Sequence, residues 1–261
     1  AEAHSNLGIT LQELGRLDEA EVSFRQAIAL NIKEPIYVRG YAKCITYLNE
    51  VCAAHFKLEK LWQESSVETS DHIMLPLAIN RYLMGDLAGS RQLFLSYFSS
   101  LSKHQKLELE LNDGVKFWGW LRFLLKWHDE NHQNENSKLP LKTLYVIGDS
   151  HSLAYHGITL KTGNDTFLCK CELIWGCKQF HIGNRETNQF KYKLDKLFSL
   201  LPSASSVLLS IGEIDCRLDE GIIPHCKKNP GKKIQRVISD TVGNYLDYIL
   251  EKSSAYLHKV T

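Results

Sequence analysis

Along residues 1–31, apolar side chains fall at Leu7, Leu11 and Leu14, stop at Gly15-Arg16, and resume at Ala20, Phe24, Ala27 and Ile28. Each set has the spacing of one helix face, so the pattern predicts two helices joined by a tight turn at Gly15. Gly8 and Ala20 are small enough to let the two backbones approach closely. One such pair cannot bury its apolar faces alone and needs neighbours. A shift of about 34 residues brings Tyr41, Ala42, Ile45, Ala54, Leu58 and Leu61 onto the same positions, so residues 35 to about 68 read as a second, degenerate hairpin. LAINRYLMGDLAGSRQLFLSYF repeats the order through Leu77, Ala78, Leu83, Gly85, Leu87, Phe94 and Tyr97, with Asp71 expected to cap its first helix. KFWGWLRFLLKWHDENH then sets Phe117, Trp120, Leu121, Leu124 and Leu125 on neighbouring turns, as a helix closing the array would. From His128 to Pro140 the periodicity is lost, which predicts a linker and a domain boundary near residue 138.

Beyond Pro140 the pattern changes. LKTLYVIGDS is a short apolar, β-branched run that stops at a glycine turn, and SVLLSIGEIDCR at 206–217 repeats that plan with an acidic cluster after Gly212. Between them lie a β-rich stretch, TFLCKCELIWGCKQFHIG, and a helical one, NQFKYKLDKLFSLL, with Phe190, Leu194, Leu197 and Leu201 on one face. A further helix, VISDTVGNYLDYILEKSSAYL, follows. Strand, crossover helix, strand, helix predicts a parallel sheet covered by helices, whose ligands sit beyond the carboxyl ends of the strands. Asp149-Ser150 and Glu213-Asp215 both fall at such ends and are expected to share one crevice. A nucleophilic serine needs an exposed turn, a base and oxyanion donors; Gly148 and its turn offer exposure and a nearby N–H.

Composition narrows the classes. A chain of 261 residues with 44% apolar and 23% charged side chains suits one large or two ordinary globular domains. Its apolar runs fall short of the roughly 20 residues that cross a bilayer, and AEAHSNLGIT is not a signal peptide. The net charge of +1 supplies no field for nucleic acid or anionic membranes. Residues 1–139 carry 15 basic and 18 acidic side chains and residues 140–261 carry 16 and 12, a mild asymmetry. CKKNPGKK at 226–233 reads first as a solvated loop and only second as an anion contact. Seven scattered cysteines point to a reduced, cytoplasmic chain, and CKCELIWGC lacks the paired two-residue knuckles of a zinc site. Neither metal nor cofactor is expected.

NLGITLQELGRLDEAEVSFRQAIAL resembles a tetratricopeptide repeat, with Leu7, Gly8, Ala20, Phe24 and Ala27 at its signature positions; His4 stands where the family usually has Trp, and Ile32 where it has Pro. The resemblance implies an all-α helical-hairpin array over residues 1–100 that binds a protein partner in its groove, with residues 101–138 connecting it onward.

Residues 139–261 resemble the SGNH, or GDSL, hydrolases: GDSHS after a buried strand, a glycine in FHIGN, and GEIDCR after a second strand match the family's first three blocks. The resemblance implies a flavodoxin-like α/β fold and hydrolysis of an ester, often an acyl group on carbohydrate or lipid. It makes Ser150 the nucleophile and Gly183 the oxyanion glycine, with Gly176 the alternative. Gly212 and Asp215 become the ends of the Gly-x-Asn-Asp block, with Glu213 beside them shaping the pocket and Gly148 and Asp149 supporting the turn.

Two positions depart from that family. Ile214 replaces the oxyanion Asn and cannot donate a hydrogen bond, and no Asp-x-x-His block follows residue 217. His151, His156, His181 and His225 stay open as substitutes for the base. The missing block and the absence of a capping unit before Ala1 suggest an excerpt of a longer chain, with the α/β domain truncated. The competing expectation is a non-catalytic scaffold with a degenerate α/β domain. A glycan-modifying component is a third, without a nucleotide-binding signature to support it.

Overall fold

The computed structural model describes residues 1–65, 67–102, 116–131 and 141–260, without the side chains of residues 67–71, 116 and 117. The packing of Phe117 and the boundary near residue 138 lie outside the described residues. The chain divides into two compact units, Ala1–Gln12 with Leu17–Lys138 and Glu13–Arg16 with Leu139–Thr261.

The first unit is a helical array whose described helices are α1 (Glu2–Glu13), α2 (Leu17–Leu30), α3 (Pro35–Leu48), α4 (Val51–Glu64), α5 (Val67–Leu83), α6 (Leu87–Ser100) and α7 (Lys116–Asn131). Its first core is organised by Phe24, fully buried beside Leu11, Ala20 and Cys44. The ring meets Gly40 of α3 so closely that an added Cβ would stand 2.5 Å from it, which explains a glycine inside that helix. Ala42, Ile45, Ala54, Leu58 and Leu61 of the second hairpin are buried, as their spacing predicts. The face of α1 differs in part: Leu11 and Gly8 are buried as expected, whereas Leu7 and Leu14 are about half exposed and Ser5 and Gln12 are buried in their place. Small residues bring α1 against the Phe24 ring, and that close contact rotates its larger apolar side chains outward.

The third hairpin turns where its Gly-Asp pair predicts. Asp86 accepts the N–H of Gly89 at 2.8 Å and caps α6, while Ser90 Oγ donates to the Ala78 carbonyl at 2.7 Å and ties α6 to α5. Helix α5 starts at Val67, so Asp71 lies inside it rather than at its cap. Helix α7 stacks Trp118 on Tyr97 of α6 and buries Leu121, Leu124 and Leu125. It continues to Asn131, which places His128 in the core rather than in a linker.

The second unit holds a five-stranded sheet in the order β2-β3-β1-β4-β5, from β1 (Lys142–Gly148), β2 (Thr159–Thr162), β3 (Asp165–Leu173), β4 (Ser206–Ser210) and β5 (Lys259–Val260). Strand β1 runs parallel to both β3 and β4, and β4 parallel to β5. The sheet is mixed rather than all parallel, because β2 pairs antiparallel with β3. A two-residue loop opening with Gly163 at φ 56° makes that hairpin. Its helices are α8 (Gln179–Gly183), α9 (Gln189–Leu200), α10 (Ile222–Lys228) and α11 (Ile234–Ala255). Asn188 starts α9 by accepting the N–H groups of Phe190 and Lys191, and Leu194, Leu197 and Phe198 bury its inner face. Among the described residues no helix is long and apolar enough to cross a membrane.

Candidate functional site

Strand β1 is where the sheet changes direction: the chain passes from β1 to β3 on one side, then crosses back to β4 on the other. In open α/β sheets the strand ends at such a reversal part to form a crevice. The residues after β1 and after β4 therefore meet there, and the hydrogen bond from Asp149 N–H to the Ser210 carbonyl fixes their approach at 3.2 Å. A Cβ on Gly148 would fall on that same carbonyl oxygen, so only glycine ends β1 this way.

Asp149 is almost completely buried, and its Oδ1 accepts the backbone N–H of His151 at 2.9 Å, capping the 3-10 turn Ser150–Tyr155. The same oxygen stands 3.0 Å from His151 Nδ1, while Oδ2 is buried with no hydrogen-bond partner among the described residues. Ser152, two residues past Ser150, is locked by bonds to the Asp149 carbonyl at 2.6 Å and Cys171 Sγ at 3.0 Å. Ser150 differs from it: half-buried, with no hydrogen bond to its hydroxyl among the described residues. The turn thus holds one serine as structure and leaves the other accessible.

The four histidines separate by their partners. His156 Nδ1 accepts the Cys171 N–H at 3.2 Å, and His181 accepts the Lys178 N–H and stacks on Phe190 with ring centres 4.0 Å apart. His225 lies beside Lys232, 3.5 Å away. His151 alone stands in the Ser150 turn facing carboxylates, with Glu213 Oε2 3.6 Å from its Nδ1 in addition to Asp149. Facing acceptors on that side, Nδ1 is the ring nitrogen that carries the proton.

Glu213 is in turn gripped by Arg217, whose Nε lies 3.0–3.1 Å from both carboxylate oxygens. That pairing holds the Glu213 carboxyl below its ordinary range. Arg217 extends the network to Glu220, which also meets Lys178 at 3.2 Å. The position of Arg217, four residues after Glu213, is the sequence signal that reveals it.

Asp215 is buried, and its carboxylate accepts the N–H groups of Gln179 at 2.7 Å and Phe180 at 3.4 Å, capping α8. Burial nevertheless raises its pKa, outweighing those donors. Gly212, at φ 135°, lies against the Gln179 side chain, which donates to the Ile211 carbonyl at 3.0 Å. Ile214 is buried. Gly183 ends α8 where that helix crosses α11; a Cβ there would lie 2.9 Å from the Tyr245 nitrogen. Gly176 occupies the exposed turn after β3, and the N–H of Ile174 in that connection donates to the Gly148 carbonyl at 2.7 Å. The structure thus brings Asp149, Ser150, His151 and Glu213 together, uses Asp215 and Gly212 to seat α8, and gives Gly183 a helix-packing place.

All seven cysteines are free, and burial raises the thiols of Cys169 to about 11 and Cys171 to about 12. Among the described residues no group of three or more His, Cys, Asp and Glu side chains could hold a metal ion.

Residues 1–32 match the family model of the tetratricopeptide repeat. No curated protein and no solved structure matches the chain. The repeat match, with the hairpin array that continues it, points to protein–protein interaction through the first unit.

Proposed function

We propose that this protein couples a partner-binding tetratricopeptide array to a serine acyl hydrolase of the SGNH type. Its substrate is an ester, such as an acylated carbohydrate. The observation that carries this reading is the place of Ser150: a half-buried serine whose hydroxyl has no hydrogen-bond partner among the described residues, at the carboxyl end of the strand where the sheet reverses. The order β3-β1-β4-β5 of the parallel strands supports this reading, since its reversal at β1 follows the first four strands of a flavodoxin-like order.

In this reading Ser150 Oγ attacks the ester carbonyl and its proton passes to the imidazole of His151. Collapse of the tetrahedral adduct expels the alcohol, which takes that proton, and water then releases the acyl group from the serine. Asp149 and Glu213 orient the ring. The Ser150 N–H opens the 3-10 turn and supplies one oxyanion donor, and Gly176 supplies the second from the loop beside it. Gly176 suits that role better than Gly183, which packs against α11. Free thiols throughout agree with work in a reducing cytoplasm.

A fluorophosphonate probe tests the nucleophile. Labelling of the protein that disappears in Ser150→Ala supports the reading, and equal labelling of both overturns it. Loss of labelling in His151→Gln with folding retained assigns the base. A second reading, a non-catalytic scaffold, draws on the buried Ile214 where the family has an oxyanion donor. It predicts no labelling of Ser150 at any pH.

A further inference from the structure

A cleft of about 730 Å³ opens in the α/β unit between α8, the loop before α11 and the first turns of α11. None of Asp149, Ser150, His151, Glu213 and Asp215 lines it, so it is separate from the serine site. Its charged lining is one-sided: Arg185, Lys232, Lys233 and Arg236 stand against a single acid, Asp240. Among the described residues Asp240 pairs with Arg236 alone, at 3.7 Å, and both side chains are largely exposed. Among the described residues Arg185 and Lys233 have no carboxylate in ion-pair range. Holding three uncompensated positive charges around one depression is unfavourable by itself and is relieved by an anion.

Two further features favour a ligand over a merely solvated surface. Helix α11 begins at Lys233 with no side-chain cap and no acid in its first turn, so the positive end of its dipole adds to the same field. The wall opposite is fixed in place, because α8 crosses α11 at Gly183 with no room for a side chain, and Asp215 anchors the start of α8. The exposed Phe180 ring and the Thr241 and Asn244 side chains give the cleft apolar and neutral polar contacts besides charge. The volume lies within the roughly 300–1,000 Å³ of small-ligand pockets.

We infer that this cleft binds a small ligand bearing two or more phosphate or sulfate groups, with the Arg185 and Arg236 guanidinium forks and the Lys232 and Lys233 ammonium groups as its anion contacts. A lone carboxylate would answer one of three surplus charges; clustered tetrahedral oxyanions answer all of them and match the planar guanidinium fork. The inference does not depend on Ser150 being a nucleophile.

Isothermal titration of the protein at low salt with inorganic tripolyphosphate and, separately, a sulfated oligosaccharide tests it and distinguishes the two sources of the chemistry. Saturable binding of either supports the inference. Lys232→Glu with Arg236→Glu is then expected to weaken it by about tenfold or more, as the loss of charged hydrogen bonds requires. Both side chains are exposed, and the milder pair Lys232→Gln with Arg236→Gln should weaken binding in the same direction with unchanged melting. Lys161→Glu on β2, which changes the charge by as much as the Gln pair, and Ser150→Ala should bind as the parent does. Absence of saturable binding for both compounds, or equal weakening by Lys161→Glu and the Gln pair, would overturn it.

Discussion

Asp215 Oδ2 accepts the backbone N–H of Gln179 at 2.7 Å across 36 positions of sequence, so the loop after β4 caps α8 from outside that helix. Burial raises the Asp215 pKa despite this bond, meaning that the folded state binds its proton more readily than the unfolded chain. Its contribution to stability is therefore fully present below the ordinary aspartate value and is lost as the pH rises through the raised one. Asp215→Asn retains an acceptor for the Gln179 N–H without the charge. In urea unfolding, the stability of the parent relative to this variant should fall as the pH rises through that window; a rising difference would contradict the assignment. Asp215→Ala removes the cap altogether and should cost about 1–2 kcal/mol.

Two glycine substitutions should separate the two units and rank in a fixed order. Gly148→Ala drives a methyl group into the Ser210 carbonyl, a backbone atom held by the β1–β4 ladder. Gly40→Ala meets the Phe24 ring, which can tilt within its core. Overpacking of this kind typically costs ~1–3 kcal/mol, and Gly148→Ala is expected at or beyond the upper end. Denaturant midpoints of both variants, followed by fluorescence, check the order; an equal or smaller loss at Gly148 would show that the strands separate easily there.

What was legible in the sequence was periodicity and position. Helical spacing in residues 1–100 and the paired strand ends at Gly148 and Gly212 are local signals, and the apolar runs fix which positions face the core. On α1 the sequence shows the close approach at Gly8 but not its consequence, that the contact with Phe24 also takes Ser5 inside and leaves the more hydrophobic Leu7 and Leu14 half exposed. Strands β2 and β5 are too short to carry a pattern, and β5 exists by pairing with β4. At the site, the accessibility of Ser150 follows from the strand-end rule. The fates of the acids and histidines do not, because Asp149 and Asp215 are defined by backbone N–H groups that sequence leaves unassigned. Ser152 and Ser150 look alike as residues and differ only in what surrounds them.

The Glu213–Arg217 pair should leave a mark on acid stability. Arg217 lowers the Glu213 pKa, so the pair's contribution is present above the ordinary glutamate value and lost as the pH falls through the lowered one. Both side chains are substantially exposed, which keeps the effect small and salt-sensitive. Glu213→Gln should therefore be slightly less stable than the parent at neutral pH and indistinguishable from it in strong acid. Matched urea titrations at low and high salt measure this. A difference that persists at acid pH would mean that Glu213 acts through packing.

The buried pair Tyr82 and His128 ties α5 to α7, with the hydroxyl 2.9 Å from Nε2 and the rings edge to face. Both side chains are almost wholly withdrawn from solvent, so the polar contact matters more than it would at a surface. Tyr82→Phe keeps the ring and removes the hydroxyl, and should cost about 1–2 kcal/mol. His128→Ala also opens a cavity beside Tyr82 and should cost more. The double variant Tyr82→Phe with His128→Ala should lose less than the sum of the two, because the shared bond is counted in each single change. Thermal or urea unfolding of the four proteins gives the coupling directly. Strict additivity would mean that α7 is held to α5 by its apolar face, through Leu121, Leu124 and Leu125, and not by this pair.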